Sequence, residues 1–541
     1  MKRKAVKLLA VAISAVMLAG CGGNSGSGAD NAAESKTEDT EEDSSSSGKT
    51  DDGEDRASSG EGRTSAVFAD TQCPTSLDLA DSWNSWYTSR YGITETLYKL
   101  DENLEAQPFL AESCEKQDDT TWVITLRDDV TFQNGEKMTA ESVKACWERT
   151  MGINARFNEQ LFIDAMEPDG QTLTVTTAEP VPAFVNGLTE PLTGIIDVSD
   201  PDSITEAPIG TGPFKAVSYE VKKQAQVERY EDYWGGTPKL ESVTFNVIAD
   251  TNSLAMAQQT GESDLSVSIP GTSLELFSDT SQYYVDGVPG SRGQVIFLNF
   301  DNEFLQDVNV RKAISMSIDK KNYAQVLNKG ASVSTYGLYP DFMAYGADEA
   351  DGYAYDLEGA EKLLEDAGYD DKDKDGIREK DGKPLSLRIV TYSTKAELPM
   401  YCEEMASKLK EIGIDLKVEV YESVAEQQES GDFDLMMISF TMCPTGDPLY
   451  FANIAFKTGG SSNYGHYSNT EVDKLIDQMT QEFDTDKRAK QAKEAQKLIL
   501  EDAGFIVAGH SKYIYVMGSS VKGLHTNPSE YYLLDAETYI E

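Results

Sequence analysis

Histidine is nearly missing from this 541-residue chain: His466, His510 and His525 are the only three. Chemistry that relies on imidazole as a base or metal ligand therefore has few residues to draw on. Positive charge is scarce as well, with 47 Lys and Arg against 93 Asp and Glu and a formal net charge of −46. Nucleic acid is held by cationic surface that releases counterions, so this balance speaks against a nucleic-acid partner. Apolar runs are short, and the clearest, Leu8 to Ala19, falls below the length of a permanent membrane span. No HExxH, Walker A or dinucleotide glycine fingerprint occurs. Gly509-His510-Ser511-Lys512-Tyr513 starts like a nucleophile elbow, but Tyr513 stands where the closing glycine belongs.

What is present begins with a sorting signal. Lys2, Arg3, Lys4 and Lys7 precede the Leu8 to Ala19 run, the order of a secretory leader. The run ends in Leu18-Ala19-Gly20-Cys21, which looks like a bacterial lipobox. Residues 1–20 thus read as a lipoprotein signal peptide, and Cys21 as the lipidation site that fixes the protein to membrane lipid on the extracytoplasmic face of the cell membrane. From Gly22 to Ser65 the chain is Gly, Ser, Asp, Glu, Asn and Thr-rich without one aromatic residue. That composition buries too little apolar surface to fold, so residues 21–65 read as the lipidated Cys and a disordered acidic tether. With Cys21 acylated, Cys73, Cys114, Cys146, Cys402 and Cys443 remain, an odd number with no C-x-x-C spacing. A disulfide framework is not expected.

Beyond the tether, strand and helix signals alternate. Strand patterns fall at Thr121 to Arg127, Thr172 to Thr177, Ser242 to Ile248, Val295 to Phe300, Leu385 to Thr391, Leu416 to Tyr421, Leu435 to Phe440 and Tyr513 to Val516. Helices are predicted after the caps Thr139 and Asp356, over Glu397 to Ile412, and as a pair, Glu471 to Phe483 and Asp486 to Asp502. This mixed order predicts an α/β body with helices on both faces of its sheets. Asp371, Asp373 and Asp375 with Gly376 open like a calcium loop, yet the twelfth position is Gly382 rather than a bidentate acid. A solvated charged turn is preferred over a calcium site for those residues.

Four stretches in this order resemble a known family: Leu126-Arg-Asp-Asp-Val-Thr-Phe-Gln-Asn-Gly135, Pro208-Ile-Gly-Thr-Gly-Pro-Phe214, Tyr233-Trp-Gly-Gly-Thr-Pro-Lys239 and Val310-Arg-Lys-Ala-Ile-Ser-Met-Ser-Ile-Asp319. They are similar to the family 5 extracytoplasmic solute-binding proteins of ABC importers, which carry oligopeptides, dipeptides or nickel complexes. The resemblance implies a two-lobed type II periplasmic-binding-protein-like fold with mixed sheets, a hinge and a ligand cleft between the lobes. Lobe I would take residues 66–289 plus 511–541, and lobe II residues 290–510. It also implies a non-enzymatic monomer that captures a small solute by lobe closure and delivers it to the transmembrane subunits of an ABC permease. No cofactor is required, and nickel enters only as part of a transported ligand.

Tyr233 to Leu265 and Ile377 to Pro384 look closest to the nickel-binding branch, which holds a metal chelate with aromatic walls and arginines. Carried over, that places Trp83, Trp86, Tyr87, Arg90 and Arg156 in the first lobe's share of the site, with Arg292 at the hinge. The second lobe would contribute Thr441, Cys443 and Asp447, then Asn463, Tyr464 and His466 from a later loop. Thr441 and Thr445 replace aromatic residues of the branch, and His466 is the nearest candidate for its metal-ligating histidine. Each of these residues also has a plain structural reading: the aromatics as core, Arg156 as a surface ion-pair residue, Arg292 as a hinge contact, His466 as a solvent-facing loop residue. A surface-anchored hydrolase is the rival from another class, since carboxylates abound, but no motif sets two of them in defined positions.

Overall fold

A computed structural model describes residues 63–348 and 352–541. The expected signal peptide, Cys21 and nearly all of the expected tether lie outside the described residues. Arg63 to Glu541 forms one compact unit. Its first strand, Ser65–Asp70, starts one residue inside the stretch expected to be tether. The Arg63–Asp264 ion pair and a hydrogen bond from the Glu241 amide to the Thr64 carbonyl tie that start to its neighbours.

Two long strands organise everything else. Tyr283–Leu298 and Phe505–Gly518 run antiparallel to each other through the middle of an eleven-stranded sheet. On one side lie Leu265–Val267, Ser65–Asp70, Ser242–Val247, Gln224–Arg229 and Phe214–Glu220; on the other lie Leu435–Thr441, Ser386–Tyr392 and Asp415–Tyr421. Parallel pairs need helical crossovers. Between the parallel strands Ser386–Tyr392 and Asp415–Tyr421 this is the helix Glu397–Glu411, which buries Leu398, Tyr401, Cys402, Met405 and Leu409 on one stripe. The register of the two crossing strands holds from Tyr283↔Gly518 to Pro289↔Lys512, breaks, and resumes at Gly293↔His510. Gly and Pro weaken ladder pairing, and Pro289, Gly290 and Gly293 cluster at this break.

The expected strand positions are occupied, but both crossing strands extend far beyond the predicted Val295 to Phe300 and Tyr513 to Val516. Thr139 and Asp356 cap their helices through side-chain bonds to backbone N–H groups. The first helix of the expected late pair ends at Met479 rather than Phe483, and Phe483 instead packs against Trp122, with Lys116 3.8 Å from its ring centroid. Among the described residues all five cysteines are free, and Cys146, Cys402 and Cys443 are buried. No helix of the described residues is long and apolar enough to cross a membrane.

A separate four-stranded sheet, ordered Ala111–Lys116, Thr121–Leu126, Thr172–Thr177, Ile163–Asp169, packs with the helix Ala140–Ile153 around Trp122, Trp147 and Phe184. Three of the family-like stretches meet where this unit joins the main sheet. Gln133 Nε2 donates to the carbonyls of Ile93, Gly212 and Phe214, and its Oε1 accepts from the Gly210 amide. A Cβ at Gly210 would collide with the Ile93 carbonyl, so only glycine allows that approach. Beside it the buried Glu95 accepts from Tyr233 Oη at 2.6 Å, Trp234 Nε1 at 3.0 Å and Thr211 Oγ1 at 3.0 Å. These sequence signatures are framework.

Candidate functional site

The helix Asn84–Arg90 is short, with buried Asn84 at its start accepting from the Thr75 amide and donating to Ser76 Oγ. Positions 83, 86, 87 and 90 repeat at helical spacing and share one face. Trp83 and Trp86 pack edge to face at 5.2 Å, and Trp86 packs in the same manner on Tyr531 at 5.1 Å. Arg156, from the loop before the helix Phe157–Leu161, lays its guanidinium 3.3 Å from the Trp83 ring centroid and donates to the Ser82 carbonyl.

Two carboxylates collect the polar groups of this face. Glu190 is buried and accepts from Trp86 Nε1 at 3.1 Å, Arg156 Nη2 at 3.4 Å and Tyr531 Oη at 3.1 Å. Glu530, the residue before Tyr531, accepts from Arg292 Nη2 at 2.5 Å, Arg90 Nη2 at 3.4 Å and Thr441 Oγ1 at 3.3 Å. Arg90 also donates to the Glu530 carbonyl and lies 4.0 Å from Asp70. Burial alone would raise the Glu530 carboxyl, but the guanidinium charges of Arg292 and Arg90 outweigh it and hold the group below its ordinary range. Arg292 stands in the register break of the first crossing strand and Thr441 on the strand beside it, so this cluster joins the crossing strands to both flanks of the sheet.

Further contacts involve the segment that follows Thr441. Asn186 Nδ2 donates to the Thr445 carbonyl at 2.9 Å. Gly446 has φ +74° and lies so near the Leu104 carbonyl that a Cβ would collide with it. Tyr450, on the helix Leu449–Ala455, feels the charges of Arg156 and Glu190, and burial pushes its hydroxyl up to about 12.

Of the residues singled out from sequence, Trp83, Trp86, Arg90, Arg156, Arg292 and Thr441 thus converge on the two carboxylates. Tyr87 sits on the same helix face but donates to Gln72 and stacks loosely on Tyr91, on the Asp70 side. Others need correcting. Cys443 is fully buried, its thiol 3.3 Å from Met343 Sδ. Asp447 is consumed by Arg488, whose Nε and Nη2 both donate to its Oδ2, at 2.9 and 2.7 Å, with side-chain exposures of 4% and 2%. Asn463 clamps its own loop, donating to the Lys457 and Tyr467 carbonyls, and Tyr464 packs on Phe297. His466 is an exposed loop residue with φ +58° whose Nδ1 lies 2.7 Å from Asp301, also exposed. Of the other histidines, His525 is exposed, and burial together with the charge of Lys320 holds the ring of His510 neutral, with a pKa of about 3.

Asp371, Asp373 and Asp375 bring carboxylate oxygens within 4.8 Å of one another on the surface, where they accept amide hydrogens of their own turn at Lys374, Asp375, Gly376 and Ile377. These turn bonds suit a solvated turn, and the three oxygens also stand close enough together to hold a cation. Sequence reasoning missed Glu190, Glu530, Tyr531 and Tyr450. No local motif marks them, and the one available signal was an excess of Trp and Arg donors on one helix face, which need acceptors when buried.

Residues 105–463 match the family model of bacterial extracellular solute-binding proteins, family 5. The chain belongs to that family. The structure of a nickel ABC transporter protein from Bacillus halodurans superposes with a TM-score of 0.78 at 32% identity, over 88% of this chain and 100% of that one. NikA from Staphylococcus aureus, solved with Ni(L-His)2, gives 0.74 at 26% identity over 88% and 100%. The dipeptide-binding protein DppE of Bacillus subtilis is 26% identical over 494 residues, 85% of this chain and 89% of DppE. This solute-binding protein of the ABC transporter class accordingly has a two-lobed fold.

Proposed function

We propose that this solute-binding protein captures a small carboxylate-bearing solute, a nickel chelate or a short peptide, between two lobes that pivot at the register break near Pro289–Gly293 and Gly509–Lys512. Lobe I would be residues 66–289 with 511–541, lobe II residues 290–510. The observation that supports this reading is the Arg156 guanidinium, fixed by stacking on Trp83 and by its bonds to Ser82 and Glu190. A planar guanidinium held by its neighbours loses little entropy on taking a carboxylate, and Trp83 and Trp86 supply apolar walls. Closure brings both halves onto the solute, and that difference in affinity shifts the open–closed equilibrium. The chain offers no histidine at this face, so a nickel ion would arrive with its coordination supplied by its chelator. Release to a permease would occur outside the cell, where the Leu18-Ala19-Gly20-Cys21 sequence supports a lipid anchor.

Isothermal titration with nickel plus L-histidine, and separately with short peptides, tests the ligand reading. Heat with either is expected; heat with neither removes both. Cys21→Ala should shift the protein from the membrane fraction to the medium or leave its leader uncleaved, and unchanged processing and membrane binding would remove the anchor.

A further inference from the structure

Each arginine of the candidate site already has a carboxylate of its own chain. Arg156 is paired with Glu190 at 3.4 Å, Arg292 with Glu530 at 2.5 Å, and Arg90 lies between Glu530 at 3.4 Å and Asp70 at 4.0 Å. Three guanidiniums thus stand against three carboxylates. More weakly felt charges come in both signs too, Lys395 acting on Glu530 and Glu159 on Tyr450.

The acids are fixed in place. Glu190 is held by Trp86 and Tyr531 as well as by Arg156, and Glu530 by Thr441 as well as by its arginines. The two are coupled, because Glu530 and Tyr531 are consecutive and the single helix Asn84–Arg90 carries both Trp86 and Arg90. A solute carboxylate that reaches Arg156 must therefore approach Glu190 as well. In a closed, poorly solvated cleft that like-charge contact is little screened. A solute that also carries a cationic group, or whose charge a metal has cancelled, meets Glu190 without that cost. Built-in repulsion of this kind separates solutes of similar size.

We propose that Glu190 and Glu530 make this cleft select solutes by net charge: it accepts a carboxylate-bearing solute that is neutral overall, a zwitterion or a charge-neutral metal chelate, and rejects net anions. The inference rests on the reading that Arg156 takes the solute carboxylate. Glu190 acts here as a specificity residue, and Glu530 supports it by neutralising Arg90 and Arg292.

Calorimetry with two matched pairs of probes tests it: neutral bis(L-histidine)nickel against anionic nickel citrate, and zwitterionic alanyl-alanine against its N-acetyl derivative. The wild-type protein should bind the neutral member of at least one pair tenfold or more tighter than the anionic member, with the gap largely kept at high salt because the contact is enclosed. Glu190→Gln, which keeps the shape and an acceptor for Trp86, should narrow that ratio at least fivefold by gaining affinity for the anion, and Glu530→Gln should narrow it less. Equal affinities within both pairs, or a ratio unmoved in a folded Glu190→Gln protein, would overturn charge selection while leaving the binding function intact. Should Glu190→Gln fail to fold, the wild-type ratio and the Glu530→Gln ratio decide. Binding of none of the four probes would overturn the ligand reading beneath the inference and the inference with it.

Discussion

Glu95 and Glu530 are both largely enclosed carboxylates that accept three side-chain hydrogen bonds, yet their charges are treated in opposite ways. Glu95 receives only neutral donors, from Tyr233, Trp234 and Thr211, and burial pushes its pKa up to about 7. Glu530 receives two guanidiniums, and its pKa falls below the ordinary value although it too is largely removed from solvent. Neutral hydrogen bonds satisfy geometry, whereas only an opposite charge offsets the desolvation of an ion. The first carboxylate belongs to the framework built by the family-like stretches, the second to the arginine cluster beside the crossing strands. A paired arginine does not by itself mark that cluster, however, because Asp447 and Arg488 form a still more deeply buried pair that bonds neither Glu190 nor Glu530.

Arg488→Ala gives the largest expected effect and separates that pair from the cleft arginines. It strands Asp447 uncompensated in a buried site, a loss of about 3–5 kcal/mol of stability. Urea unfolding should show the midpoint falling steeply, with solute affinity of the remaining folded protein unchanged. Stability close to wild type would mean that water reaches Asp447.

Arg156→Ala should do the reverse. Losing one partner of a desolvated charge pair costs about 2–5 kcal/mol of binding, so affinity for a carboxylate-bearing solute should fall about thirtyfold or more. The unfolding midpoint of the unliganded protein should fall far less than in Arg488→Ala, since the Arg156 guanidinium is partly exposed and its single contact to Glu190 is long, 3.4 Å. Unchanged affinity in calorimetry would take Arg156 out of the site.

These contrasts also show what the sequence could and could not reveal. Helix caps such as Thr139 and Asp356 are local chemistry, one side chain bonding an amide three residues on, and they were legible. The full length of the crossing strands was not. Pro289, Gly290 and Gly293 break the strand pattern, and the Val295 to Leu298 end is buried on both faces, so it lacks alternation. The site was half legible. Trp83, Trp86 and Arg90 share a helix face and can be grouped from spacing alone, but Glu190 lies 104 residues from Trp86, and Tyr531 lies 341 from Glu190. Acceptors of that kind are chosen by the fold rather than by any neighbour in the chain. Conversely, Asn463, Asp447 and Cys443 sit in stretches placed by resemblance, and their side chains are spent on their own surroundings.

The contrast between Glu95 and Glu530 can be read directly from pH dependence. Glu95 binds its proton more tightly folded than unfolded, so its contribution to stability is complete below about pH 4.5 and is lost as pH rises through about 7, a change of about 3 kcal/mol. Glu95→Gln should abolish that alkaline loss. For Glu530, whose folded pKa is lowered, the sign reverses: its contribution is present above the ordinary value of 4.5 and is lost as pH falls below it. Glu530→Gln should flatten the acid side instead. Unfolding midpoints from about pH 2 to 8 that slope alike in the two variants would show that the two carboxylates are not different in kind.

The smallest effect is expected at His466, the residue that resemblance offered as a metal ligand. Its side chain is 59% exposed and that of its partner Asp301 72%, so the pair is solvated and contributes little. Its backbone occupies the left-handed region at φ +58°, which asparagine adopts as readily as histidine. His466→Asn should therefore alter stability by no more than about 0.5 kcal/mol, the range of surface substitutions away from special features. Affinity for bis(L-histidine)nickel and for alanyl-alanine should stay within about twofold of wild type, because the ring faces Asp301 and no group of the Trp86–Arg156 face contacts it. A tenfold loss for the nickel probe alone would return His466 to the site and require the loop Asn463 to Tyr467 to swing onto the chelate when it binds. A loss shared by both probes would instead point to this loop as part of closure, with Gly465, packed against the Leu298 carbonyl at the end of the first crossing strand, as its link to the hinge strands.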